Sequence, residues 1–129
     1  MLGRWCWPGL CVFVLGETDL FVGTEATFGV AVDARGRVLS SFNAPMSLDG
    51  QPYAGGTSDV GVLAWNEDGS HALTRLAGSL GSDSASSSAM APSGLVYVSV
   101  ITDGALDASP SRGGNDVAVV KMDPSGAFS

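Results

Sequence analysis

Asp59-Val-Gly-Val-Leu-Ala-Trp-Asn-Glu-Asp-Gly69 and Asp116-Val-Ala-Val-Val-Lys-Met-Asp-Pro-Ser-Gly126 are two versions of one phrase, 57 positions apart. In each, an apolar run rich in valine is closed by an Asn/Asp-x-x-Gly turn, the pattern of a strand entering a tight reversal. Reading upstream, the match continues after one lost residue, where Thr57-Ser58 faces Asn115 alone. Gly55-Gly56 then falls on Gly113-Gly114, Pro52 on Pro110, Asp49 on Asp107, Leu48 on Leu106 and Val38 on Val96. Gly36 falls on Gly94, Val32 on Met90, Ala31 on Ala89, Glu25 on Asp83 and Gly23 on Gly81, an offset of 58. One deletion across so long a register, with glycine and aspartate repeating at the turns, marks a duplicated unit. The first copy runs over 22–79 and the second over 80–129, after an apolar segment 1–21.

Each copy divides into short strands. Phe28-Gly-Val-Ala-Val32 and Val96-Tyr-Val-Ser-Val-Ile101 are β-branched and aromatic runs, and Asp33-Ala-Arg-Gly36 is a turn ending in glycine. His71-Ala-Leu-Thr-Arg-Leu-Ala77 reads as the strand after the Asn66–Gly69 turn, while Ser84 and Ser86-Ser-Ser88 read as a small, polar approach to a strand. About four strands per period predict an all-β chain of antiparallel, four-stranded propeller blades, two of them.

Composition agrees. The 129 residues are 45% hydrophobic and only 15% charged, against about a quarter charged in an ordinary domain. Eighteen glycines supply the special backbone positions that many tight turns need. Lys121 is the single lysine, and Glu is limited to Glu17, Glu25 and Glu67, which leaves little for helices. The formal net charge of −7, with no basic stripe, argues against nucleic acid and anionic membranes as partners.

Leu73-Thr-Arg-Leu-Ala-Gly-Ser-Leu-Gly-Ser-Asp83, Met90-Ala-Pro-Ser-Gly-Leu-Val-Tyr-Val98, Gly104-Ala-Leu-Asp107, Gly113-Gly-Asn-Asp116 and Val119-Val-Lys-Met-Asp-Pro-Ser-Gly126 together resemble the bacterial-type β-propeller repeat, also called the seven-bladed β-propeller or SBBP repeat. Val30-Ala-Val-Asp-Ala-Arg-Gly-Arg-Val38, Leu48-Asp-Gly-Gln-Pro-Tyr-Ala-Gly-Gly56 and Asp59-Val-Gly-Val62 carry the likeness into the first copy. The resemblance covers Val22 to the C-terminus. It departs from the pattern at Ala91, where the repeat has aspartate, at Val100, where it has glycine, and at Ala64, where it has lysine. It implies a secreted or cell-surface protein and little chemistry.

A closed propeller needs about four to eight blades. Two copies therefore predict a piece of a longer protein, an assembly of several copies into a ring, or two sheets packed as a sandwich; the truncated second copy favours the first. Further blades or self-assembly are expected for closure. At the N-terminus, Arg4 followed by the apolar Trp5–Leu15 reads as a signal peptide, as an apolar strand or as a misassigned gene start. Glu17–Val22 also resembles Thr57–Val62, which would make residues 16–22 the remnant of an earlier blade, but the continuous register of 58 outweighs that pairing. Pro8 and Gly9, and the acids Glu17 and Asp19 near any cleavage point, count against a leader. The run is too short to span a bilayer as a helix. Cys6 and Cys11 fit one bridge or two buried thiols, and no metal knuckle.

No residue pattern points to catalysis. His71 is the single histidine and reads as a strand residue; no G-x-S-x-G elbow and no phosphate loop is present. Asp49, Asp59, Asp107 and Asp116 recur at matched places around the Gly-Gly loops. They are candidate calcium ligands, although their spacing fits no known calcium loop and aspartates also cap turns without any metal. Trp5, Trp7 and Trp65 are candidates for stacking on sugars, with core packing the expected role of Trp65. The reading is a non-enzymatic repeat module, extracellular or at the cell surface, without a cofactor. It meets a protein or glycan through loops Leu48–Gly56 and Leu106–Gly114, with Asp49, Gln51, Tyr53, Asp107 and Arg112 as ligand-facing residues. The alternative is part of a propeller enzyme whose active site lies on other blades.

Overall fold

The fold is described from a computed structural model, over residues 3–7, 10–15, 19–23, 27–33, 35–106 and 109–129, with side chains from residue 29 onward. The described residues are all-β, without helix; no helix among them is long and apolar enough to cross a membrane. Ten strands form three antiparallel sheets. β1 (Gly3–Trp7), β2 (Leu10–Leu15) and β3 (Asp19–Gly23) form the first, in sequence order. The apolar segment read as leader or single strand thus contains two paired strands, with Cys6 opposite Cys11 in their register.

β4 (Thr27–Val32), β5 (Val38–Ala44), β6 (Asp59–Trp65) and β7 (His71–Ala77) form a four-stranded meander. β8 (Asp83–Met90), β9 (Val96–Thr102) and β10 (Asp116–Met122) form a three-stranded one. The strand expected at Asp59–Trp65 and its repeat at Asp116–Met122 appear with those bounds. β8 differs from expectation: the serine-rich stretch is the strand itself, not its approach. Serine and alanine have weak β-preference, but this strand is paired along its length with β9 and lies against β4, β5 and β6, most closely where Ser88 meets Gly29.

The duplication in sequence is a duplication in shape. Gly36 and Gly94 close equivalent turns, donating to the carbonyls of Asp33 and Ala91 at 3.0 and 2.9 Å. Gly69 and Gly126 do the same to Asn66 and Asp123, both at 2.9 Å. A bulge interrupts β4 between Thr27 and Gly29, and another interrupts β8 at the matching place, between Ala85 and Ser87. Small bridges repeat as well: Leu48 with Gln51, then Leu106 with Ser109. Trp65 pairs with His71, and Met122 pairs with Phe128 where the same fourth-strand position begins.

Alternation along paired strands assigns the two faces of the four-stranded sheet. Leu39, Ser41, Asn43, Val60, Val62 and Ala64 share one face. Ser40, Phe42, Ala44, Gly61, Leu63 and Trp65 share the other. The inner face of the three-stranded sheet packs on the first of these, and Ala85, Val96, Val98, Val100 and Met122 join Leu39, Val60, Val62 and Ala64 in one buried cluster. On the opposite face Leu48, brought back by the loop after β5, packs with Phe42, Ala44, Leu63 and Trp65. Both faces of β6 are covered, so all seven of its residues are buried and it reads as a continuous apolar run. β9, half-buried, alternates instead.

Two polar anchors fix how the sheets meet. The Asn43 side-chain amide donates to Ser84 Oγ at 3.0 Å, and its carbonyl accepts from the Ala85 N–H at 2.9 Å. At Gly29 the strands approach so closely that a Cβ would overlap Ser88, at 2.7 Å from its backbone nitrogen. A Gly29→Val substitution, which suits β-structure by intrinsic preference, should therefore cost about 1–3 kcal/mol by prying β4 from β8. Urea unfolding of the two proteins measures it; an unchanged midpoint would refute the close approach.

Candidate functional site

The loops at one end of the sheet–sheet junction are held by three carboxylates, two buried and one exposed. Asp59 opens β6 and is fully buried. Its Oδ2 accepts from the Ala54 N–H at 2.6 Å, at the end of the loop that carries Gly55-Gly56. Asp83 opens β8, is equally buried, and accepts from the Ser79 N–H at 2.6 Å and from the Ser79 hydroxyl at 2.9 Å. Asp103 follows β9, and its Oδ1 accepts from the Ser82 N–H at 2.6 Å. Three successive loops are thus tied by aspartates to backbone amides, the economical way to order irregular chain. Thr57 and Ser58 complete the seam, bonding to Ser82 Oγ and to the Asp83 carbonyl.

Glycine makes this seam possible. Gly56 has φ +67°, and a Cβ there would collide with Gly81 and come within 2.7 Å of the Ser82 nitrogen. The second copy repeats the capping: Asp116 Oδ2 accepts from the Arg112 N–H at 2.9 Å and from Ser111 Oγ at 3.1 Å. Arg112 stands in the register where the first copy has Ala54, so Asp59 and Asp116 perform the same local task.

The electrostatics of the seam are unusual at Asp59. Burial pushes its carboxyl above the ordinary aspartate range, and Asp83 pushes the same way, against the lowering by the amides of Ala54 and Gly55. Its Oδ1 has no hydrogen-bond partner among the described residues. Burial, then Asp59 and Asp83, also raise the Tyr53 phenol, whose hydroxyl donates to the Gly56 carbonyl at 2.9 Å.

Asp49 sits elsewhere. Asp49-Gly50 is a two-residue turn with φ +50° and +72°, closed by the Leu48–Gln51 bridge. Its Oδ2 lies 3.7 Å from Nε2 of His71, which also meets Thr74 Oγ1 at 2.9 Å. His71 pairs with Trp65, at the far end of β6 from Asp59, and six residues of strand separate those ends by roughly 20 Å. The loop folds back along the sheet, so Asp49 and Asp59 occupy different places. Asp107 lies outside the described residues. Among the described residues no three His, Cys, Asp or Glu side chains are grouped as a metal site. Trp65 is buried in the core, as expected. Of the remaining ligand-facing candidates, Gln51 and Tyr53 are half-buried and Arg112 is exposed.

At the other end of the sheets, Arg35 and Arg37 from one turn and Asn66, Glu67 and Asp68 from another line a shallow, open cleft. Asp33, beneath it, contacts Arg37 Nε at 2.6 Å and the amides of Arg35 and Arg37 at 2.8 and 2.9 Å. Burial alone would raise the Asp33 carboxyl; these donors outweigh it and hold the group below its usual range. Sequence reasoning passed over this turn as a site, although Asp33 and Arg37 were visible at a spacing of four.

No protein-family model matches the chain, and no curated protein matches it.

The two aspartates should respond to pH with opposite sign. Native Asp59 binds its proton more tightly than the unfolded chain does, so stability falls as pH rises from the ordinary value of 3.8 into the raised range. Asp59→Asn cannot ionise, and its stability should lack that decline in urea melts between about pH 4 and pH 7. Asp33 contributes at neutral pH and loses its contribution as pH falls through its lowered pKa. Asp33→Ala should therefore cost about 1.5–3 kcal/mol at neutral pH and progressively less in acid.

Proposed function

We propose that the chain is a β-propeller-type repeat module that binds or scaffolds and does no catalysis, working outside the cell or at its surface. The observation that carries this reading is the duplicated meander: two units with matching turns, bulges and bridges, stacked face against face as successive blades of a propeller are. The aspartates support a scaffold, because Asp59, Asp83 and Asp116 each give a carboxylate oxygen to a loop amide. His71 meets Asp49 and the buried Thr74 hydroxyl through one ring nitrogen, Nε2, whereas a catalytic relay places carboxylate and hydroxyl on opposite nitrogens.

In this reading a glycan or protein meets the loops Leu48–Gly56 and Leu106–Gly114. Repeat scaffolds present variable loops on rigid sheets, and here the loops offer Asp49, Gln51, Tyr53 and Arg112. Asp49 and Arg112 are exposed and supply one charge of each sign. Calcium is a candidate ligand only where these loops leave carboxylate oxygens free, and Asp49 is such a place.

A glycan array probed with the soluble chain, followed by alanine variants at Asp49, Gln51 and Arg112, tests the reading. Retention of a glycan that each variant weakens about fivefold or more, the loss of one good hydrogen bond, with an unchanged melting temperature, is the expected result. A chain that retains nothing on the array and on a panel of extracellular proteins would overturn the binding role.

A further inference from the structure

Seven large hydrophobic side chains are exposed among the described residues: Val30, Val32, Leu80, Tyr97, Ile101, Val117 and Val119. Leu80 lies in the loop before β8. The other six all sit at positions whose repeat counterparts form the internal sheet–sheet junction.

On the three-stranded sheet, Tyr97, Ile101, Val117 and Val119 share the outward face with Ser99 and Lys121. Their counterparts in the first unit are Leu39, Asn43, Val60 and Val62, on the face that the second unit covers. Val60 and Val62 are each 1% exposed, whereas Val117 and Val119 are 77% and 64% exposed. The same surface thus occurs twice, once mated and once open. Its mate also occurs twice. In the internal junction β8 lies across β4, β5 and β6, with Ser88 and Met90 on its inner side. The counterparts of Ser88 and Met90 are Val30 and Val32 on β4, 62% and 61% exposed. Behind β4, Phe42, Leu63 and Trp65 are already buried, so this strand is the open border of its face.

We propose that the outward face of β8, β9 and β10 is a docking surface for a second copy of this chain, which seats its β4 there as β8 is seated within the chain. The contact joins two different surfaces, so it propagates head to tail and closes only if the rotation per copy permits a ring. Valines at 30, 32, 117 and 119 give it the apolar content that sheet-on-sheet packing requires. Ser87 stands where the internal junction has Gly29, so the copies approach less closely than the linked units and the association depends on concentration. The inference rests on the repeat register and not on any ligand at the loops, so a failed glycan screen leaves it standing.

Light scattering of the full chain from micromolar to millimolar concentration tests it. The expected mass rises above the 13.0 kDa of one chain. Val119→Asp removes one surface and Val32→Asp the other, and each variant alone should remain monomeric. Mixed, they should form a complex of two chains and stop there, because each retains the surface the other lacks. Both positions face solvent, so circular dichroism and melting temperature should match the parent; Val119→Ser and Val32→Ser replace any variant that fails this control. A parent chain that stays at 13.0 kDa throughout overturns the proposal. So does a Val32→Asp variant that associates as the parent does, since that result would mean pairing between like surfaces.

Discussion

The structure depends on one sheet lying flat on another. One face of the first unit is filled by its own Leu48, but the other is closed only by the second unit. Leu39, Val60, Val62 and Ala64 lose contact with water because Val96, Val98, Val100 and Met122 arrive from a different sheet. Burial of each such side chain is worth roughly 1.5–3 kcal/mol, and the contact is made only when both sheets are formed. That coupling makes the two units one cooperative object. It also explains why polar residues are tolerated at its heart: Asn43 spends both ends of its amide on β8 and fixes the angle and register of the approach.

The same constraint decides which parts of the fold were legible in the sequence. β6 and β10 are spelled in β-branched residues and closed by glycine turns, so local preference and tertiary demand agree, and their bounds were readable. β8 was not, because Ser84–Ser88 has the look of a loop. Its strand conformation is imposed by β9 on one side and by the close crossing at Gly29 on its face. β5 was hidden for a related reason: Ser40 and Ser41 interrupt its apolar pattern, yet both are buried because the sheet is covered on each side. Trp5–Leu15 offers no period, and its division into two strands is signalled only by Pro8-Gly9, a turn dipeptide that sequence reasoning set against a leader and did not read as a strand break.

The aspartates show the same split between local and distant causes. That Asp59 and Asp116 would cap their own loops was visible, since an aspartate following a Gly-Gly pair has amides within reach. The burial of Asp59 beside Asp83 was not, because it arises where two units meet. Nor was the pairing of Asp49 with His71, which needs the loop after β5 to travel back along the sheet while Leu48 fills the core. Asp33 has three donors from two neighbouring arginines, which hold its carboxyl below the usual range, whereas Asp59 is pressed toward its neutral form.

The irregularity shared by β4 and β8 bears on how a chain with near-copies of itself avoids confusion. Both are border strands, each with a hydrogen-bonded neighbour on one side only. A straight border in one copy would be an inviting template for the corresponding strand of its sibling, and mispairing of that kind is the characteristic failure of tandem repeats. An extra residue in each border breaks the ladder and increases the local twist. The kink thereby makes each border a poor template for edge-to-edge swaps between siblings.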